Sequence, residues 1–324
     1  MSRRTQRLVI AALAVAILAL AWAIGWREAA RWAEAKAQAE LAERSSEIAC
    51  TNLEVDGFPF ALRVGCDNVA VRDVEAGTDA SLGGGAGSFR VWRPFTPRVT
   101  LVSPADIRTE AAGEPMNATW DKAGADIGVW WGGPRSTRFD ATALTVTAPE
   151  ARITADSMNA GVAPGSEDGL SKIEAHAEGL SVTTDGSTTL PVTLTLRSEI
   201  AAEPRDILLG RYDPLANGFA LTDIALAVSD GNFHVEADGE LSVDPEGVAN
   251  GELTVRIAGF EAMPAFIASL PEDLRRTASA AVGGFMAIGG SARIDGREAR
   301  EVTLDIEDGE ARIGFINLGE VTLF

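Results

Sequence analysis

The chain has 324 residues, 46% of them hydrophobic, with 28 Lys+Arg against 47 Asp+Glu for a formal net charge of −19. That length fits one large domain or two modest ones, and that apolar content excludes wholesale disorder. A body so acidic repels phosphate backbones, which argues against nucleic acid as a partner.

Residues 1–7 form a short basic tail with Arg3, Arg4 and Arg7. Leu8–Trp26 follows as an uninterrupted uncharged run. As a helix it spans roughly 28 Å, close to the hydrocarbon thickness of a bilayer. The arginines before it hold the N-terminus in the cytoplasm, and Trp22 and Trp26 fall at the far membrane–water interface. Small-x-small triplets at Ala19-Leu20-Ala21 and Ala21-Trp22-Ala23 keep open a cleaved signal peptide. The run exceeds the usual signal length and helix formers continue beyond it, so a retained transmembrane anchor is expected; on either reading the body is exported. Residues 27–48, free of Pro and Gly and rich in Ala, Glu, Arg and Lys, predict a helical stalk. Trp32 and Leu41 are its large apolar residues before Ile48, with no sustained a/d pattern, which predicts a solvated spacer.

Cys50 and Cys66 are the two cysteines of the chain. Their midpoint is Phe58, inside the turn signal Asp56-Gly57-Phe58-Pro59. A hairpin folded there sets Cys50 opposite Cys66, and in an oxidising compartment a cross-strand disulfide follows. The closed loop contributes roughly 3 kcal/mol by the chain-entropy argument. Redox pairs normally use Cys-x-x-Cys spacing, which is absent, so the pair reads as structural. Phe58 and Phe60 flank Pro59 at the tip, and burial of this hairpin against a second sheet is expected.

From about residue 49 onward the dominant period is two, the signature of antiparallel sheet with one apolar and one wet face. Leu190–Leu196, Phe233–Val243, Leu253–Ile257 and Val302–Ile306 all alternate in this way. Asp-Gly turn signals recur at 56–57, 185–186, 230–231 and 308–309. A linker at 161–169 is expected between a first β-rich half, 49–160, and a second, 170–324, which contains a helix near 271–287. The run Gly283–Gly290 is read as leaving that helix in a close-packed turn. The fold class is therefore mainly β: an N-terminal transmembrane helix and stalk, then an elongated antiparallel body, curved sheet or sandwich, with one or two short helices.

Cys50, Gly57, Phe58, Pro59, Phe60 and Cys66, behind a basic N-terminus, an anchor and an Ala/Glu/Arg-rich stalk, resemble an uncharacterised family of membrane-anchored envelope proteins of Gram-negative bacteria. That resemblance covers essentially the whole chain and implies an inner-membrane span with a periplasmic body. Gly239–Phe260 also resembles repeats of AsmA-like envelope proteins, which are linked to lipid transport and outer-membrane upkeep. Neither resemblance brings catalytic residues.

Signals for chemistry are sparse. His176 and His234 lie on polar strand faces, outside any zinc-binding spacing. The stretch from Asp230 fails as a calcium loop at Val235 and Leu241. Gly83–Ser88 lacks the Gly-Lys-Ser/Thr ending of a phosphate loop and reads as a flexible turn. Of the adjacent Trp130 and Trp131, one is expected in the core and the other exposed. No catalytic residue, metal or cofactor is assigned. The reading is a non-enzymatic inner-membrane protein that binds or moves a lipid along an apolar strand face containing Phe233, Val235, Leu253, Val255 and Ile257. Its alternative is a structural protein that binds another envelope component through a sheet edge or aromatic surface.

Overall fold

An alanine-rich N-terminus with no proline folds as one helix, α1 (Arg3–Glu43). The computed structural model describes residues 3–43, 47–73, 78–109, 115–184, 187–213, 218–270, 272–314 and 316–320. The chain forms two compact units, Met1–Gly113 and Glu114–Phe324. Among the described residues no helix is long and apolar enough to cross a membrane. Of the expected anchor, residues 17–26 have described side chains, and those of residues 8–16 lie outside the described ones.

The stalk differs from the expected solvated spacer. Ala23, Trp26, Ala30, Ala33, Ala37 and Leu41, spaced by three or four residues, are its less exposed positions, and Ala33 is buried. This narrow stripe lays α1 against β1 (Ile48–Thr51), β2 (Glu54–Asp56) and β3 (Ala61–Cys66). The helix ends at Glu43, and Ile48, expected as the last stalk residue, opens β1.

In the first unit, β2 pairs with β3, and β1 pairs with β4 (Asn68–Asp73) in the same register, so the four form one interrupted hairpin. Cys50 therefore stands opposite Val69 rather than Cys66. The interruption supplies the approach: Asn52 adopts a φ of 53°, its amide donates to Asp67 at 2.9 Å, and Asp67 N–H donates to Thr51 O at 2.9 Å. Across this break Cys50 and Cys66 form the expected disulfide, with Cα atoms 5.6 Å apart. Next come β5 (Thr78–Arg90) and β6 (Arg93–Thr109), with β5 between β3–β4 and β6. Gly83–Ser88, expected as a flexible turn, lies inside β5. Gly84 sits at a bulge with φ 151°, where a Cβ would stand 2.7 Å from Asp67 O, so only glycine lets β5 pass the kinked hairpin.

The second unit is a run of antiparallel strands. It comprises β7 (Met116–Thr119), β8 (Lys122–Trp130), β9 (Gly133–Thr147), β10 (Ala151–Pro164), β11 (Ser171–Thr184), β12 (Ser187–Thr188) and β13 (Val192–Ile200). The short helix α2 (Pro204–Leu208) packs on β9 and β10. Then follow β14 (Phe219–Ser229), β15 (His234–Val243), β16 (Ala249–Ala258), α3 (Met263–Ser269) and α4 (Glu272–Ile288). Last are β17 (Gly290–Ile294), β18 (Arg297–Glu307), β19 (Glu310–Ile313) and β20 (Ile316–Glu320). Hydrogen-bonded ladders join β8 through β11 and β13 through β16 in sequence, and β18 continues them beside β16.

Residues 161–169 end β10 and turn into β11 rather than standing between the two units. Gly165 N–H donates to Leu170 O at 2.9 Å, and the buried Glu199 carboxylate accepts from Ser166 N–H and Oγ–H, each at 2.7 Å. Glu199→Ala removes both bonds, and because Ser166 is exposed its freed donors are hydrated, so the expected cost is about 0.5–1.5 kcal/mol, measured as a shifted urea midpoint with unchanged slope.

The expected helix is present as α4, but Gly283 and Gly284 stay within it. Ala278, Val282 and Phe285, at i, i+4 and i+7, pack on the core and outweigh the propensity cost of the glycines. Asp308-Gly309 makes the expected two-residue hairpin, with φ of 51° and 77°. Asp230-Gly231 opens a longer loop, in which Asp230 Oδ1 accepts from the N–H groups of Asn232 and Phe233. The turn signal at 185–186 lies outside the described residues.

Candidate functional site

Strand register carries apolar side chains across the second unit in two unbroken rows, because directly opposed positions on neighbouring strands share a face. The first row is Ala123, Ala141, Met158, Ala177, Leu194, Val228, Val235 and Ile257, from β8 to β16. The second is Ala125, Phe139, Ala160, Ala175, Leu196, Leu226, Ala237, Val255 and Val302, reaching β18. At about 4.8 Å between strands, such a row follows the sheet for roughly 38 Å.

Helices α3 and α4 cover one end of this face. There Phe233 and Ile257, 1% and 6% exposed, form a core with Met263, Ile267, Phe285 and Val302. Val235 and Val255 pack against that core, and Leu253 packs against a second cluster of Val243, Ala249, Ile306 and Ala311. The five residues expected to line a ligand face are thus divided: Phe233 and Ile257 are core, and the other three are half-buried at its margin. Toward β8 the face continues through Phe139, Met158, Leu194, Leu196 and Leu226, all half-buried and, among the described residues, in neither of these two clusters. Sequence periodicity marked only part of this central stretch, because its β8–β11 side is built largely from alanine.

The opposite face is polar. Asp140, Asn159, His176 and Thr195 oppose one another across β9–β13, and Glu236, Arg256 and Glu301 do so across β15–β18. Arg256 donates to Glu301 at 2.6 Å and to Asp238. The Glu301 hydrogen bond is the main reason its guanidinium is held above the ordinary value, against an opposing effect of burial. Lys172, 2.8 Å from Glu174, lowers that carboxyl below its ordinary range, with burial opposing. Stability from this half-exposed pair is present above the ordinary carboxylate range and fades as pH falls through the lowered pKa. His234 Nε2 lies 3.2 Å from Glu236 Oε1, off the angle a hydrogen bond needs. An open depression of about 480 Å³ is lined on this face by Arg138, Asn159, Glu174, His176, Thr195 and Arg197.

The aromatic residues are more exposed than expected. Gly57–Phe60 closes the β2–β3 hairpin, with Ala61 N–H donating to Gly57 O at 2.9 Å. Gly57 has φ 104°, and a Cβ there would meet Ala61 O at 2.5 Å. Phe58 and Phe60 are 56% and 57% exposed, not buried against a second sheet. Trp130 and Trp131 are both exposed, because β8 ends at Trp130 and the turn takes both rings to the rim.

The arrangement can hold apolar matter on one face while the other stays hydrated. The model of a family described as "Uncharacterized protein conserved in bacteria (DUF2125)" matches residues 22–322. No curated protein and no solved structure matches the chain.

Proposed function

From the premise that the chain belongs to this uncharacterized bacterial family, we propose a non-enzymatic, inner-membrane-anchored periplasmic protein that holds a lipid on the apolar face of its second unit. The observation that carries this reading is the pair of apolar rows, whose large side chains Phe139, Met158, Leu194, Leu196 and Leu226 stay half-buried between β9 and β14 while Ala141 and Ala177 are buried, with a charged face behind them. Acyl chains laid across that stretch remove apolar area from water at about 25 cal/mol per Å². The resemblance of Gly239–Phe260 to AsmA-like repeats leans the same way.

The anchor draws support from α1, where Ile17, Leu18, Leu20, Trp22 and Ile24 are all exposed. Each large apolar side chain left in water forgoes roughly 1.5–3 kcal/mol, which a bilayer would return. The disulfide fits an oxidising compartment. A second reading, binding of another envelope protein, is favoured by Trp131, 86% exposed beside the exposed Trp130.

The test is native mass spectrometry of the full chain released from mild detergent. Near-stoichiometric lipid is expected in the wild type. Leu196→Glu, which puts a charge among the acyl chains, should lose that lipid while still unfolding in one cooperative transition, with a melting temperature close to that of delipidated wild type. A lipid-free wild type, or a Leu196→Glu chain that unfolds as a dry core would, defeats the proposal.

A further inference from the structure

In the first unit two hairpin tips meet the end of the apolar helix. Trp22 Nε1 donates to Pro59 O at 3.2 Å, and the Trp26 and Phe58 rings stand edge-on with centroids 6.1 Å apart. The β5–β6 turn joins the same place: Val91 N–H donates to Phe60 O at 3.0 Å, and the Phe60 and Trp92 centroids are 5.9 Å apart. Phe58, Phe60 and Trp92 nevertheless remain more than half exposed, Trp92 at 61%. Val91 and Phe95 beside them are exposed as well.

Two adjacent loops that each present large aromatics to the surroundings are costly in water. They lie beside Trp22 and Trp26, the residues that end the apolar run. Indoles and phenyl rings at that level fit the interfacial layer of a bilayer, where an apolar body and a polar rim are both satisfied. The local charge agrees. In a chain of net charge −19, the turn is closed by two opposed arginines, Arg90 and Arg93, both exposed; Arg63 on the adjoining strand is paired with Asp56 at 3.8 Å. Cations flanking an aromatic tip suit lipid phosphates.

We infer that the tips Gly57–Phe60 and Arg90–Arg93 form a second membrane contact, seating Phe58, Phe60 and Trp92 among the headgroups beside the point where α1 leaves the bilayer. The inference rests on the anchored reading of α1 and adds to it a surface of the folded body. Its occupant is the lipid interface of the same membrane, since the tips are continuous with the apolar helix that enters it.

The test uses the full chain in nanodiscs of phosphatidylcholine and phosphatidylglycerol, doped with a phosphatidylcholine carrying a diazirine near the head of one acyl chain. After irradiation, labelled residues are mapped by mass spectrometry. Label is expected within 8–26 and also within 57–61 and 89–95. The double variant Phe60→Ser/Trp92→Ser should lose at least half of the tip label while keeping that of 8–26 and the wild-type melting temperature. Label confined to 8–26 overturns the inference and leaves the anchor intact. Absence of label from 8–26 removes the anchor itself and the inference with it. Tips that cross-link instead to a second copy of the chain belong to a protein interface, and that too overturns it.

Discussion

Phe233→Ala is expected to lower the unfolding free energy by about 3–5 kcal/mol, the range for aromatic truncation in a packed core. The ring is 1% exposed and lies against Phe266 with centroids 4.8 Å apart, under the cover of α3 and α4. Its backbone is pinned where Asp230 Oδ1 accepts the Phe233 N–H at 2.8 Å, so the loop cannot readily slide inward to fill the space. The lost transfer energy is therefore joined by most of a cavity cost. In a unit of this size each kcal/mol shifts the melting temperature by about 2–4 °C, which predicts a fall of at least 6 °C. Thermal and urea unfolding both read it. A loss below about 1 kcal/mol would mean that the helices do not close a dry core over β15 and β16.

Replacing both cysteines by serine is expected to cost about 3 kcal/mol, the loop-closure value for a separation of 16 residues. The effect should be regional. The bond ties β1 to the end of β3 across a break where Asn52 and Asp67 hold the two strands by a few polar contacts. Hydrogen exchange should accelerate through residues 48–90 and stay unchanged through 219–307. Reductant should reproduce the effect in the wild type and have none in the Cys50→Ser/Cys66→Ser chain. Equal acceleration in both regions would contradict a local role for the disulfide.

Features written in large side chains were legible beforehand. Alternation of valine, leucine and isoleucine gave the strands, Asp308-Gly309 gave its turn, and Pro271-Glu272-Asp273 marked the start of the long helix. Features made by small side chains were not. The stripe that seats α1 is mostly Ala23, Ala30, Ala33 and Ala37, which read as helix propensity because alanine suits a solvated helix equally well. Ala141, Ala160, Ala175 and Ala177 carry the apolar rows across β9–β11 in the same inconspicuous way. Gly84 looked like a turn because the approach it permits comes from Asp67, which no local pattern reveals. The Cys50–Cys66 pair was foreseen with its register displaced, since the positive φ at Asn52 lets the sulfurs meet diagonally. The candidate ligand face was found at its most hydrophobic positions, and these are the ones the core claims first.

The seating of α1 also fixes a mechanical relation. The helix runs unbroken from Arg3 to Glu43, and its stripe from Ala23 to Leu41 is set against β1, β2 and β3. Gly25 lies in the helix where the apolar run meets the stalk, and between Trp26 and Glu43 there is neither a proline nor a glycine to act as a pivot. A rotation or tilt that reaches Trp26 is therefore passed on to the sheet of β1–β6, as by a crank welded to its shaft. Aim and inclination of that sheet become one coordinate, governed by whatever grips the N-terminal turns of the helix. Inserting a single residue near Lys36 would turn the two halves of the rod about 100° against each other and break the stripe, leaving every strand sequence intact.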